Sequence, residues 1–142
     1  RILIAASLWH YDIIEKCIQG AKNVLKVYDI EAENIIVKRV VGAWELPQII
    51  EKNILDDELG FDAVMVFGCV IKGQTAHDEY INHAVYRKLM DIASDCDTLI
   101  INGILTVNTI EQAHDRAGGS IGNKGEECAL AALYYIQEHL IE

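Results

Sequence analysis

Four short apolar runs, each followed by a longer amphipathic stretch, constrain this chain more than any other feature. The runs are Arg1–Ser7 (RILIAAS), Ile35–Val41 (IIVKRVV), Asp62–Ile71 (DAVMVFGCVI) and Thr98–Leu105 (TLIINGIL). They have the length of strands and are apolar almost throughout, which is the pattern of strands buried on both faces. Between them, Tyr11–Tyr28 carries Ile14, Cys17, Ile18, Ala21, Leu25 and Tyr28 at helical spacing. Glu45–Leu55 reads as a helix that tolerates Pro47 only in its first turn. Thr75–Ser94 is a long amphipathic helix. Thr109–Ala117 is a short one, with Asn108 and Glu111 as its N-terminal box. Gly118, Gly119 and Gly122 then break the chain before a last helix to about Leu140. The order βαβαβαβαα predicts an α/β fold whose parallel sheet is covered on both faces, with right-handed crossovers. At 142 residues, 51% of them hydrophobic, the chain reads as one domain over 1–142 with a real core.

Charge and motif narrow the function. The formal net charge is -10, from 12 basic and 22 acidic residues, which disfavours a nucleic-acid surface. An anionic ligand must be caught by a few placed cations or helix ends against that field. The four cysteines form no CxxC and no zinc-finger spacing, and read as reduced, mostly buried thiols. No apolar stretch reaches the ~20 residues of a membrane helix and no signal peptide is visible, so the expected compartment is the cytoplasm, with no membrane partner. No GxGxxG follows the first run, no P-loop and no GxSxG elbow exists, and Ala5-Ala6-Ser7 lacks the acidic cluster that a phospho-acceptor uses to hold magnesium. The loop Ser7-Leu8-Trp9-His10 is too poor in Gly, Ser and Thr to wrap a flavin phosphate.

Open parallel sheets bind ligands outside the carboxyl ends of their strands. That rule selects Ser7–His10, Gly42–Glu45, Gly68–His77 and Asn102–Asn108, where the unusual polar and aromatic residues lie. Thr75 can cap the long helix with Asp78 at the reciprocal position, leaving the first N–H groups to hold a phosphate. His77 in the first turn can shuttle protons near neutral pH, or be an idle surface histidine. Arg116 suits bidentate phosphate binding, or simply serves the end of its helix. Trp9 can stack on a planar heterocycle, or pack as an ordinary aromatic. Trp44 and Glu45 follow Gly42-Ala43, where exposed backbone can meet a ligand, while Glu45 can equally favour its own helix start. Lys124, in Asn123-Lys124-Gly125, is a cation in an acidic protein or a solvated lysine. Together the set fits phosphate elimination or carbonyl–amine condensation better than redox or hydrolysis.

At these residues the chain resembles the lumazine synthase family along essentially its whole length. The resemblance is carried by Ser7-Leu8-Trp9-His10, Gly42-Ala43-Trp44-Glu45-Leu46-Pro47, Gly68-Cys69-Val70-Ile71-Lys72-Gly73-Gln74-Thr75-Ala76-His77, Gly103-Ile104-Leu105-Thr106, Thr109-Ile110-Glu111-Gln112-Ala113, Arg116-Ala117-Gly118 and Gly122-Asn123-Lys124-Gly125. It implies condensation of 5-amino-6-(D-ribitylamino)uracil with 3,4-dihydroxy-2-butanone 4-phosphate, with no metal and no organic cofactor. It implies that Trp9 stacks on the pyrimidine, that Ala43, Trp44 and Glu45 hold the ribityl chain, and that Cys69, Val70 and Ile71 offer backbone groups to the ring. Gln74, Thr75 and Arg116 would bind the phosphate, and His77 would be the catalytic proton shuttle. Asn102 and Lys124 would come from a neighbouring subunit. The departures are Trp9-His10 for the usual Phe-Asn, Val41 for proline, Lys72 for arginine, Gln74 for alanine, Ala76-His77-Asp78 for Pro-His-Phe, and Asn102 for phenylalanine.

The same resemblance implies a flavodoxin-like three-layer α/β/α sandwich with a four-stranded parallel sheet in the order 2-1-3-4. It implies homopentamers with sites between subunits, twelve of which close into a 60-subunit shell in some members. Ala117–Gly125 carries no insertion, as in shell-forming members. A functional link to riboflavin synthase follows from the product. The rival reading is a weakly catalytic or non-catalytic relative that holds a flavin or lumazine. A third is a purely structural shell protein.

Overall fold

The apolar runs become the centre of the molecule. The computed structural model describes residues 1–140, with strands β1 (Ile2–Ser7), β2 (Ile35–Val40), β3 (Ala63–Phe67), β4 (Cys69–Ile71), β5 (Leu99–Asn102), β6 (Leu105–Val107), β7 (Ala117–Gly119) and β8 (Gly122–Asn123). The helices are α1 (Tyr11–Val27), α2 (Leu46–Asp56), α3 (His77–Asp95), α4 (Ile110–Asp115) and α5 (Lys124–Leu140). β1 lies in the middle of a parallel four-stranded sheet, in the order β2-β1-β3-β5. Counted by sequence run, that is the expected 2-1-3-4.

The third and fourth runs each differ from a single strand. Each breaks near a glycine, Gly68 and Gly103, and resumes as the two-stranded parallel ladder β4–β6. At Gly103 the reason is steric, because a Cβ there would lie 2.6 Å from the Phe67 ring and 2.8 Å from the Val66 carbonyl. The backbone can pass only without a side chain. The register is kept across the break, since Ala63 faces Leu99 before it and Cys69 faces Leu105 after it.

Alternation along the strands divides the core in two. Ile2, Ile4, Ala6, Met65 and Phe67 point to one face and meet Ile14, Cys17, Ile18, Ala21 and Leu25 of α1 with Cys128 and Ala129 of α5. Leu3, Ala5, Val64 and Val66 point to the other and meet Leu46 and Ile50 of α2 with Val85, Leu89 and Ile92 of α3. At about 1.5–3 kcal/mol for each fully buried large aliphatic side chain, these two clusters supply most of the drive to fold. Tyr28, assigned to the apolar face of α1 by spacing, instead caps the helix end and is exposed. Helix α5 crosses α1 closely at Gly125, where any Cβ would run into the Cys17 carbonyl. Asn123 secures the crossing, donating from Nδ2 to the Lys16 carbonyl at 3.1 Å and accepting the Glu126 N–H at 3.0 Å.

The helix starts refine the sequence reading. Pro47 does sit in the first turn of α2. The cap of α4 is Thr109 with Gln112, not Asn108 with Glu111: Thr109 Oγ1 accepts the Gln112 N–H at 3.2 Å. The Gln112 side chain reaches back to the Asn108 and Thr109 N–H groups. The glycine-rich break after Arg116 is a small antiparallel hairpin, β7–β8. Among the described residues no helix is long and apolar enough to cross a membrane. All four cysteines are free, with Cys17, Cys69 and Cys128 buried and Cys96 half-buried.

Candidate active site

Because β1, β2, β3 and β5 run parallel, their carboxyl ends share one edge. The loop after β1 is tied to the end of β2. The Leu8 N–H donates to the Val40 carbonyl at 2.8 Å, and the Trp9 N–H to the Val41 carbonyl at 3.1 Å. This leaves the Trp9 side chain 66% exposed, with its ring 3.9 Å from where a Cβ on Gly42 would stand. Glu45, in the single 3-10 turn Ala43–Glu45 ahead of α2, accepts the Gly42 N–H through Oε2 at 2.9 Å. One carboxylate oxygen of Glu45 thus shapes its own turn, and the other keeps its acceptor capacity. The structure brings Trp9, Gly42 and Glu45 together. Ala43 is buried beneath them, and Trp44 is exposed. Trp44 walls a groove of about 250 Å³ between α2 and α3, opposite Val85 and Lys88.

β4 continues β3 beyond the point where β1 has ended, and among the described residues it pairs with β6 alone, which leaves its other edge without a strand partner. The Cys69 side chain turns inward, where burial pushes its thiol up to about 11. A thiol so held is neutral at pH 7, so only the backbone of this residue is suited to a ligand. Val70 and Ile71 are half-buried beside it.

The expected cap of α3 is corrected. The helix begins at His77 with Ala76 as its N-cap and no side-chain cap. Thr75 Oγ1 accepts the His77 N–H at 3.3 Å, closing a turn one residue early. Asp78 and Glu79 fall in the first turn. They satisfy the helix end electrostatically, so an anion here needs added cations. Gln74, Thr75 and His77 are all exposed.

Lys72 precedes this segment at the end of β4, and the other two cations singled out by the sequence lie elsewhere. Arg116 is the C-cap of α4, exposed, and has no ion pair among the described residues. Its carbonyl accepts the Lys124 N–H at 2.8 Å, which joins the two residues across the hairpin. Lys124 Nζ stands 3.6 Å from Glu127. Arg116 is flanked by Ala113 and Ala117, which pack in the α1–α5 layer, whereas His77 opens a helix of the α2–α3 layer. Within one chain the helix that ends at the arginine packs on one face of the sheet, and the helix that the histidine opens packs on the other. Asn102 ends β5 at the edge, exposed, with Oδ1 accepting the Ile104 N–H at 3.0 Å.

Two features escaped the sequence reading. Asp12 and His114 approach to 3.9 Å, linking the start of α1 to α4, and no local signal marks a pair so distant in sequence. His10 takes a left-handed backbone, φ 58. Among the described residues no three His, Cys, Asp or Glu side chains converge as a metal cage.

The fold and this edge define an open parallel α/β protein with its polar and aromatic residues gathered outside the carboxyl ends of its strands. Residues 1–139 match the family model described as 6,7-dimethyl-8-ribityllumazine synthase. A 6,7-dimethyl-8-ribityllumazine synthase of Bacteroides fragilis (strain YCH46) is 40% identical over 133 residues, covering 94% of this chain and 92% of the relative. Relatives of that name from Parabacteroides distasonis and Stenotrophomonas maltophilia (strain K279a) are 40% and 42% identical over 94% of this chain, which spans 82% and 84% of them. The chain belongs to the 6,7-dimethyl-8-ribityllumazine synthase family.

Proposed function

We propose that this chain is a condensing enzyme of riboflavin biosynthesis. It joins 5-amino-6-(D-ribitylamino)uracil to 3,4-dihydroxy-2-butanone 4-phosphate, giving 6,7-dimethyl-8-ribityllumazine with loss of water and phosphate. The observation that carries the reading is the exposed Trp9 ring over Gly42, whose N–H is held by Glu45. A flat, open aromatic beside a shaped backbone suits a planar pyrimidine with a polyhydroxyl tail.

In this reading Trp9 stacks on the pyrimidine. Ala43, Trp44 and the free oxygen of Glu45 hold the ribityl chain. The open edge of Cys69, Val70 and Ile71 pairs with the ring's polar atoms. Gln74 and Thr75 take the phosphate with Arg116. His77 moves protons as the amine adds to the ketone, water leaves, phosphate departs and the ring closes. The site needs no cofactor, because the amine and the ketone react directly once held together, and such positioning can supply ~7–11 kcal/mol.

The site lies between subunits. Supporting this, Arg116 and Lys124 sit on the face of the sheet opposite His77, and Asp78 and Glu79 make a cation from elsewhere necessary. A neighbour then supplies Arg116 and Lys124 together with Asn102. The fold is of flavodoxin-like three-layer type, a single domain over 1–142, assembled as homopentamers and open to a 60-subunit shell. Its compartment is the cytoplasm, and its product feeds riboflavin synthase.

The test is turnover. Purified protein is mixed with both substrates and the lumazine chromophore is followed against the uncatalysed reaction. Acceleration that disappears in Arg116→Ala supports the reading. A folded, assembled sample that binds lumazine without accelerating its formation would overturn it in favour of a lumazine-binding protein.

A further inference from the structure

The turn out of β1 must redirect the chain into α1 and leave Trp9 at the edge, all within three residues. Both sides of it are pinned. Leu8 and Trp9 donate to the Val40 and Val41 carbonyls, and the Ile14 N–H donates to the His10 carbonyl at 3.0 Å as the first helical bond. His10 absorbs the change of direction at φ 58, ψ 46, the left-handed region. The other non-glycine residue with positive φ among those described is Asp29, at the far end of α1. The His10 side chain makes no cap hydrogen bond, so the position uses the conformation and not the imidazole. Glycine adopts that conformation freely, Asn, Asp and His tolerate it, and a β-branched residue there is an outlier. An unfavourable backbone kept beside a ligand edge is a recurrent mark of function.

We propose that His10 is the positioning residue for Trp9: its left-handed backbone aims the indole over Gly42, at the place where the pyrimidine stacks. The inference rests on the reading of Trp9 given above. A residue 10 in any other region would send the chain out of β1 along a different line. β1 and α1 are fixed by their own cores, so the displacement would fall on Trp9. Trp9 is the most exposed member of the turn, at 66% against 42% for Leu8, with the least packing to resist it.

The experiment compares His10→Val, His10→Ala, His10→Gly, His10→Asn and Trp9→Ala in assembled protein. It reads KM for each substrate, kcat, and equilibrium binding of the ribitylamino-pyrimidine alone. His10→Val is expected to raise KM and Kd for the pyrimidine roughly 5–30-fold, the factor that corresponds to the left-handed penalty. KM for the butanone phosphate should not move. His10→Ala moves the same way by less and serves if the valine variant does not fold. Glycine and asparagine, which keep the conformation, should restore pyrimidine binding to within about twofold. If they lose as much as valine, the imidazole is what matters and the proposal falls. It falls also if both KM values rise together, which marks a purely structural residue. If Trp9→Ala weakens pyrimidine binding while His10→Val does not, the positioning role is wrong and the stacking role stands. If Trp9→Ala changes nothing, both are wrong.

Discussion

His77 and Arg116 are both exposed, and neither side chain has an ion pair among the described residues, but the chemistry asks different things of them. A proton shuttle acts only as bonds change, so His77→Ala should lower kcat roughly 10²–10⁴-fold with little change in either KM. Steady-state kinetics checks this, and an unchanged kcat would remove His77 from the mechanism. In the proposed reading Arg116 binds a dianion in the ground state as well as later. Arg116→Ala should therefore raise KM for the butanone phosphate roughly 10–100-fold, the worth of a charged hydrogen bond, with KM for the pyrimidine unmoved. Equal losses on both substrates would exclude the phosphate role. At this scale the sequence placed Trp9, His77 and Arg116 outside the core, and the structure leaves all three exposed. It was least informative where conformation decides. Nothing in the letter His at position 10 announces a left-handed backbone. Nothing in Glu45 told that one of its oxygens would accept the Gly42 N–H and shape its own turn.

Elements are set by where chains can pass one another. Gly103 lets the fourth run turn beneath Phe67, so Gly103→Ala must push the ring or the Val66 carbonyl aside. The expected cost is about 1–3 kcal/mol, read as a lower urea midpoint at unchanged slope. The same glycines explain why two long runs, legible as strands by hydropathy, are four strands in space: periodicity reports burial, not a local kink. The cap of α4 shifted by one residue for a comparable reason. Both Asn108 and Thr109 are good caps, and only the backbone geometry selects the threonine hydroxyl. Between α1, α5 and β4 lie the Cys17, Cys69 and Cys128 thiols, pushed by burial up to about 11, 11 and 12. An unfolded thiol ionises near its ordinary value of 9.0 while the folded one stays protonated. Stability from these groups is thus complete below pH 9 and drains as pH rises from 9 through 11 to 12. Each thiol adds a slope of up to about 1.4 kcal/mol per pH unit. Denaturation midpoints measured across that range should fall steeply, and more gently in Cys128→Ala. A Cys128→Ala curve parallel to wild type would show that the thiol does not drive the loss.

For the whole molecule the alternation of runs announced a parallel sheet and the family resemblance its strand order, but neither gave the face on which a given loop residue ends up. His77 follows the carboxyl end of a strand and Arg116 the end of α4, and the family resemblance puts them in one phosphate site. The alternating core sends one to the α1–α5 layer and the other to the α2–α3 layer. If the site is completed by a neighbour, its parts are exchangeable between chains, and that is testable without a structure of the assembly. His77→Ala and Arg116→Ala chains are each prepared as homo-oligomers, both weakly active when the butanone phosphate is kept far below KM, then dissociated, mixed in equal amounts, reassembled and assayed under that condition. An interface that joins the His77 of one chain to the Arg116 of the next becomes whole whenever an Arg116→Ala chain supplies the histidine and a His77→Ala chain the arginine. Random mixing in a closed ring makes that combination at roughly a quarter of the interfaces, so about a quarter of wild-type activity should return. A site built within one chain has no such route, because every chain in the mixture carries one defect. Activity that stays at the level of the separate variants, in a mixture shown to contain both chains in one assembly, would place the phosphate cation within the subunit that bears the histidine.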